Sequence, residues 1–172
     1  MPEFYRLKCP AEFELLFFCE KFYLYVSDAH PFLELDEVNA SEINPQELWY
    51  LHEENCFQNQ VNAISPVNNP DFSGQLRYVS NSIESLRRIV ESKNGTTFIP
   101  ELAIISIPAE LEEMVIPIAA PVSFREIRVV LSRLHSKERL VQVFKKTVLA
   151  NIPERMKHKP EGEKLDTKIR MK

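Results

Sequence analysis

The sequence has little glycine, little cysteine and no glycine-rich motif. Its 172 residues contain 3 glycines against 12 prolines, and neither GxGxxG nor GxxxxGK followed by Ser or Thr occurs, which excludes a glycine-rich phosphate loop. The cysteines Cys9, Cys19 and Cys56 are odd in number and lack the spacing of metal ligands. This usage favours a reducing cytoplasm and argues against a disulfide scaffold or a zinc site, and we expect no cofactor.

Long apolar runs and positive charge are also scarce. No apolar run approaches the ~18 residues of a membrane span, and nothing resembles a signal peptide, so we expect no membrane contact and a cytoplasmic location. A net charge of -4 provides no basic surface, and this chain alone is therefore a poor candidate for binding nucleic acid. Its length and its hydrophobic content of 44% suffice for one core or two small lobes.

The most informative stretch is LWYLHEENCFQNQVNAISP, from Leu48 to Pro66. Its first four residues are large and apolar, which predicts a buried strand, and an acidic turn follows. Asn55 is a good N-cap, so a helix is predicted to begin at Cys56. Three apolar residues share one face of that helix: Phe57, Val61 and Ile64.

Cys56 is a candidate reactive cysteine because of this position. Unpaired N–H groups at a helix N-terminus favour the thiolate over the thiol, whereas the neighbouring Glu53 and Glu54 oppose it. The alternative is that Cys56 serves as a small buried hydrophobe, as free cysteines commonly do.

The rest of the chain alternates between predicted strands and helices. Strands are predicted at 12–18, 22–26, 76–79, 96–99, 114–118 and 126–132, and helices at 101–105 and 137–150. Another helix follows a capping-box variant of Asn81 and Glu84 and ends at a C-cap of Lys93, Asn94 and Gly95. Its apolar stripe consists of Ile83, Leu86, Ile89 and Val90. This order predicts α/β layers with a mostly parallel sheet.

Three motifs together carry a family resemblance: DAHP at Asp28 to Pro31, where His30 serves a turn, LWYLHEENC at Leu48 to Cys56, and SIESLRRIVESKNGTTFIP at Ser82 to Pro100. The sequence resembles the effector domain of LysR-type transcriptional regulators, and within that family the peroxide-sensing branch, over roughly Phe13 to Ala150. The resemblance implies an α/β fold of two Rossmann-like lobes similar to type II periplasmic binding proteins. The first lobe is expected to be incomplete, since the family's winged helix-turn-helix and first βαβ part are not in this chain.

The resemblance also implies a domain organisation and a function. Residues 1–20 and 121–152 would form the partial first lobe, 21–120 the second lobe with the redox cysteine, and 153–172 a charged, disordered tail. Hydrogen peroxide would oxidise Cys56 to a sulfenic acid that a second cysteine captures as a disulfide, and the change would switch DNA binding. The protein would be a regulator and not an enzyme.

Partners follow from the same resemblance. We expect a homodimer, or a tetramer in the full-length protein, and DNA contact only through the helix-turn-helix that this chain lacks. The candidates for the dimer interface are the apolar stripe residues Ile83, Leu86, Ile89 and Val90.

Ser65 stands where the resemblance predicts the second cysteine. Two positions nine apart on one helix are ~13.5 Å apart, whereas a disulfide needs Cα atoms ~4.4–6.8 Å apart, so the bond would require the helix to unwind. That requirement would couple oxidation to a fold change. Either the chain is an engineered Cys-to-Ser variant arrested before disulfide formation, or it is a natural sensor that uses the sulfenic acid alone or another thiol.

Four residues are candidate neighbours of the peroxide: Asn55, Asn59, Gln60 and Arg125. Asn55 and Asn59 replace a histidine and an aspartate of the family, and they keep hydrogen bonding but lose proton transfer. Arg125 would support anionic intermediates or, alternatively, lie solvated on the surface, and Gln60 is helix filler as easily as ligand.

Two other classes of function compete with peroxide sensing. One is an effector domain that binds a small organic inducer in the interlobe cleft, with Cys56 incidental. The other is a thiol enzyme such as a peroxidase, which is disfavoured because no His, Lys or Arg adjoins Cys56 in sequence.

Overall fold

The computed structural model describes residues 12–49, 60, 61, 63, 64, 82–132 and 138–165. The strands are β1 (Glu12–Val26), β2 (Thr96–Pro100), β3 (Val115–Pro117), β4 (Ser123–Ser132) and β5 (Glu163–Lys164). The α-helices with complete bounds are α1 (Ile83–Lys93), α2 (Glu101–Ile104) and α3 (Glu138–Ala150). Short 3-10 helices lie at Pro31–Glu34, Ala40–Glu42, Ala109–Met114 and Glu154–Lys157. Within the described ranges, no helix has the length and apolar character needed to cross a membrane.

The chain divides into two compact units. One comprises Met1–Cys19 and Glu126–Lys159, and the other comprises Glu20–Arg125 and Pro160–Lys172. Strands β1 and β4 each continue from one unit into the other, and the chain returns to the second unit after residue 159. That these units correspond to the two lobes predicted at 1–20 with 121–152 and at 21–120 stays a prediction.

Strand β1 is one continuous strand, whereas the sequence predicts two. The predicted break coincides with Cys19 and Glu20, which are both only 2% exposed. The strand continues because an arginine partner neutralises the Glu20 carboxylate, as described below. Further along, side chains alternate between two clusters of the second unit, with period two. Phe22, Leu24 and Val26 enter one cluster, and Tyr23 and Tyr25 pack in the other.

The described strands are ordered β2-β1-β4-β5, and β3 also pairs with β1. Both β2 and β3 run antiparallel to β1, with Phe22 opposite Pro100 and Tyr23 opposite Pro117, while β4 and β5 are parallel. The predicted mostly parallel sheet is therefore wrong around β1. The prediction assumed that strands separated by one helix lie side by side and therefore run parallel. Instead, β2 and β3 both pair with β1, which lies far earlier in the chain.

The segment 153–165 departs from the predicted disordered tail. It contains the 3-10 helix Glu154–Lys157 and strand β5. Met156 is 1% exposed and clusters with Phe17 and Phe18 in the first unit, and Leu165 joins the core of the second unit. Two buried apolar side chains thus anchor a segment whose average composition is charged.

Helix α1 confirms its prediction from the caps and the apolar stripe, with one shift. Its N-cap is Ser82, whose hydroxyl accepts the backbone N–H of Ser85 at 3.3 Å, and not Asn81. At the other end Asn94 and Gly95 have φ of 62° and 104°, as the predicted C-cap requires. A Cβ on Gly95 would lie 2.5 Å from the backbone oxygen of Glu47, so this position has no room for a side chain.

We predict that Gly95→Ala lowers the free energy of unfolding by about 1–3 kcal/mol, because it combines a positive φ with a backbone clash. Chemical denaturation monitored by circular dichroism measures the change. Asn94→Gly is the matched control, since glycine accepts a positive φ, and it should stay within about 1 kcal/mol of the parent protein. Equal stability of Gly95→Ala and the parent would contradict the stated role of the turn.

Candidate functional site

The described residues include part of the predicted peroxide site. Cys56, Ser65, Asn55 and Asn59 lie outside them. Gln60 and Arg125 lie within them, so the geometry of the site is built from these two.

Gln60 belongs to a helical segment that is fixed by its apolar neighbours. Gln60, Val61, Ala63 and Ile64 are helical, in agreement with the predicted helix. Val61 and Ile64 are buried in the core of the second unit, whereas Ala63 is exposed. Gln60 is itself only 3% exposed, and a buried amide needs a hydrogen-bond partner.

Arg125, on β4, supplies that partner. Its Nη1 donates to the side-chain oxygen Oε1 of Gln60 at 3.0 Å, and its guanidinium lies 5.5 Å from the centre of the Phe22 ring. The Arg125 side chain is 18% exposed, so it is not the solvated surface arginine that the sequence also allowed. The structure therefore brings together two residues that are 65 positions apart in the chain.

Glu20 completes the cluster, and sequence reasoning missed it. Both Nε and Nη2 of Arg125 lie 2.6 Å from Oε1 of Glu20, while Oε2 accepts the backbone N–H of Leu102 at 3.2 Å. Leu102 belongs to the first turn of α2, where N–H groups have no partner inside the helix. The available signal was a glutamate inside an apolar strand, since such a residue is buried only with a partner.

We name Glu20, Arg125 and Gln60 the arginine cluster. The cluster contains no nucleophile. Its contacts fix the orientation of the Gln60 amide and of the Arg125 guanidinium. Because Glu20 offsets the charge of Arg125, the cluster gives limited electrostatic support to an additional anion. Among the described side chains, no group of three or more His, Cys, Asp or Glu could hold a metal ion.

Only part of the apolar stripe on α1 is accessible. Leu86 and Val90 are 1% and 0% exposed and pack into two clusters of their own unit. They offer almost no surface to a second chain, and their place in a dimer interface stays a prediction. Ile83 and Ile89 are partly exposed and stay candidates.

A polar network on α1 lies beside Tyr25 of β1. The Tyr25 hydroxyl donates to Oε1 of Glu91 at 2.9 Å, and Arg87 donates to the same oxygen at 2.8 Å. Arg87 also pairs with Glu84, one turn earlier, and this pairing lowers the pKa of the Glu84 carboxyl. Burial, reinforced by the bond to Glu91, raises the pKa of Tyr25 to about 12.

His30 serves a turn, as predicted. Its Nδ1 accepts the backbone N–H of Phe32 at 3.2 Å and so caps the 3-10 helix Pro31–Glu34, which leaves Nε2 to face Glu47 at 3.4 Å. A groove of about 420 Å³ adjoins this turn, and its lining includes Glu42, Asn44 and Asn94.

Comparison with known proteins places this fold. A family model described as the LysR substrate binding domain matches residues 11–152. The hydrogen peroxide-inducible genes activator of Haemophilus influenzae is 30% identical over 117 residues, which cover 68% of this chain and 38% of that protein. The chain thus spans well under half the length of this curated relative.

Solved structures of OxyR proteins have a similar fold. A mutant of OxyR from Porphyromonas gingivalis has a TM-score of 0.78 and 28% identity, covering 92% of this chain and 72% of that one. Reduced OxyR from the same organism has a TM-score of 0.77, again with 28% identity and the same coverage. A full-length OxyR variant from Pseudomonas aeruginosa, at 24% identity, has a TM-score of 0.75 over 87% of this chain and 50% of that one, and shows the fold alone.

The mixed α/β fold is thus that of a LysR substrate-binding domain, which resembles the fold of periplasmic binding proteins. The chain belongs to the LysR substrate-binding domain family, because the family model matches its residues 11–152.

We predict that Tyr25 titrates at an unusually high pH. Tyr25 should ionise near pH 12, against ~10 for an ordinary tyrosine, in an absorbance titration at about 295 nm. Because the folded pKa exceeds the unfolded one, the stability that Tyr25 contributes is present below about pH 10 and is lost as the pH rises toward 12. Tyr25→Phe should remove the late step and leave the rest of the curve unchanged.

We predict that Arg125→Ala destabilises the protein by about 3–5 kcal/mol, because it leaves the buried Glu20 carboxylate unpaired. Adding Glu20→Gln removes that charge, so the double variant should lose about 0.5–3 kcal/mol less than the sum of the single losses. Denaturation of the parent, the two single variants and the double variant measures this coupling. Strict additivity would contradict the ion pair.

Proposed function

We propose that this chain is the hydrogen-peroxide-sensing regulatory domain of an OxyR-like transcription regulator, with Cys56 as the residue that reacts. The observation that carries the proposal is the bond between Arg125 and Gln60, because Gln60 follows Cys56 by four positions and the sequence predicts one helix through both. The name of the curated relative and the similarity to OxyR structures at 28% identity support the same function.

The proposed reaction is a two-electron oxidation of sulfur. The Cys56 thiolate attacks one oxygen of hydrogen peroxide, an S–O bond forms as the O–O bond breaks, and the sulfur becomes a sulfenic acid. The departing hydroxide takes up a proton and becomes water. Peroxide is the sole oxidant, and no cofactor is required.

Ser65 determines the end product of the proposed oxidation. A serine hydroxyl cannot form a disulfide, so no disulfide can link positions 56 and 65, and the sulfenic acid is the expected end of the reaction. Cys19 is only 2% exposed, which disfavours its capture of the sulfenic acid. An engineered serine and a natural one both fit this scheme.

The output of the sensor is proposed to be a change in the helix that contains Gln60. In the whole regulator this change would alter DNA binding through a winged helix-turn-helix. A homodimer would transmit it, with Ile83 and Ile89 as the accessible part of the candidate interface on α1.

We predict that one equivalent of hydrogen peroxide modifies Cys56 ahead of Cys9 and Cys19. Trapping with dimedone followed by peptide mass spectrometry identifies the modified thiol, and buried Cys19 serves as an internal control. Cys56→Ser should abolish the fast phase of peroxide consumption.

Two results would overturn the proposal. Equal and slow reaction of all three cysteines would favour the alternative, a domain that binds a small organic inducer, to which the family description also applies. Sustained peroxide turnover with a thiol reductant would indicate an enzyme.

A further inference from the structure

Glu20 is an unusual residue for the place that it occupies. It lies within a strand whose neighbouring positions Phe17, Phe18 and Phe22 are buried and apolar, and it is 2% exposed. Burying a carboxylate is costly unless charge and hydrogen bonds compensate for it. Here Arg125 compensates through Oε1 and the N–H of Leu102 through Oε2.

The geometry of Arg125 links Glu20 to Gln60. A guanidinium is planar and rigid, so fixing one edge of it fixes the direction in which the remaining nitrogen donates. Glu20 holds the edge formed by Nε and Nη2, and Nη1 then donates to Gln60. One guanidinium therefore joins Glu20 to Gln60.

We infer that Glu20 is a positioning residue that acts through Arg125 to hold the helical residues Gln60, Val61, Ala63 and Ile64 in their docked state. Undocking this segment breaks the bond between Arg125 and Gln60, while Glu20 keeps Arg125 neutralised in place. The carboxylate thus sets how readily the helix comes apart. This inference rests on the proposed function only in taking that helix as the element that oxidation of Cys56 changes.

Hydrogen exchange tests the inference without peroxide. Glu20→Gln is nearly isosteric, and its amide oxygen can still accept the N–H of Leu102, but it no longer neutralises Arg125. In the whole protein, we expect peptides that cover residues 60–64 to exchange about tenfold faster or more, as loss of a hydrogen bond from a charged donor implies. Peptides from β2 and from α1 should exchange as in the parent.

The matched control is Glu91→Gln. It removes a partly buried carboxylate from a different arginine, Arg87, at a distance in sequence from Gln60. This variant should leave the exchange at 60–64 unchanged. Equal acceleration in both variants would indicate general destabilisation and would overturn the inference.

A rescue variant separates positioning from a purely structural role. Gln60→Glu added to Glu20→Gln returns a carboxylate to Arg125 from the other side. If Glu20 acts through Arg125, the double variant restores slow exchange at 60–64, and failure to restore it contradicts the inference. If Glu20→Gln does not fold, Arg125→Lys is the substitute, because it keeps the positive charge but loses the planar set of guanidinium donors. For the inference to stand, hydrogen exchange in the peptides that cover residues 60–64 must then be faster than in the parent.

The two proposals fail separately. Faster exchange at 60–64 in Glu20→Gln, combined with an unreactive Cys56 in the parent, would keep the role of Glu20 and remove peroxide sensing. Unchanged exchange would remove the role of Glu20 even if Cys56 reacts quickly with peroxide.

Discussion

The buried ion pair of Glu20 and Arg125 joins several elements of the second unit. It lets a charged residue lie inside β1, so a single strand continues where two would otherwise be expected. A further nitrogen of Arg125, Nη1, binds Gln60. One guanidinium thereby connects β1, β4 and the helical residues that follow Cys56, and the first turn of α2 joins through Leu102.

The helical segment that contains Gln60 is held in place by two kinds of contact. Val61 and Ile64 bind the helical segment to the core through apolar contact, whereas Gln60 binds it through a directional hydrogen bond. A segment held in both ways can release the polar contact while its apolar contacts persist. Under the proposed function, such a two-part attachment suits a domain whose output is a change of conformation, because a switch depends on an element with two accessible states.

Features with a local cause were predicted from the sequence. The C-cap of α1 at Asn94 and Gly95 follows from residues adjacent in the chain, and so does the turn at His30. Features with a distant cause were not predictable. The partner of Glu20 lies 105 positions away, the antiparallel partners of β1 come from distant segments, and the anchors of the tail, Met156 and Leu165, find their cores only in the folded chain. The family resemblance supplied Gln60 and Arg125 as candidates, but their mutual contact is a product of the fold.

Trp49 is the only tryptophan of the chain, and its surroundings make it useful. It packs against both apolar clusters of the second unit, and its indole N–H donates to the backbone oxygen of Asn94 at 2.7 Å. Its emission spectrum therefore reports on a single place, the joint between the end of α1 and the chain that leads toward Cys56. The molecule carries its own optical probe, and movements of this joint can be followed in the unlabelled protein in real time.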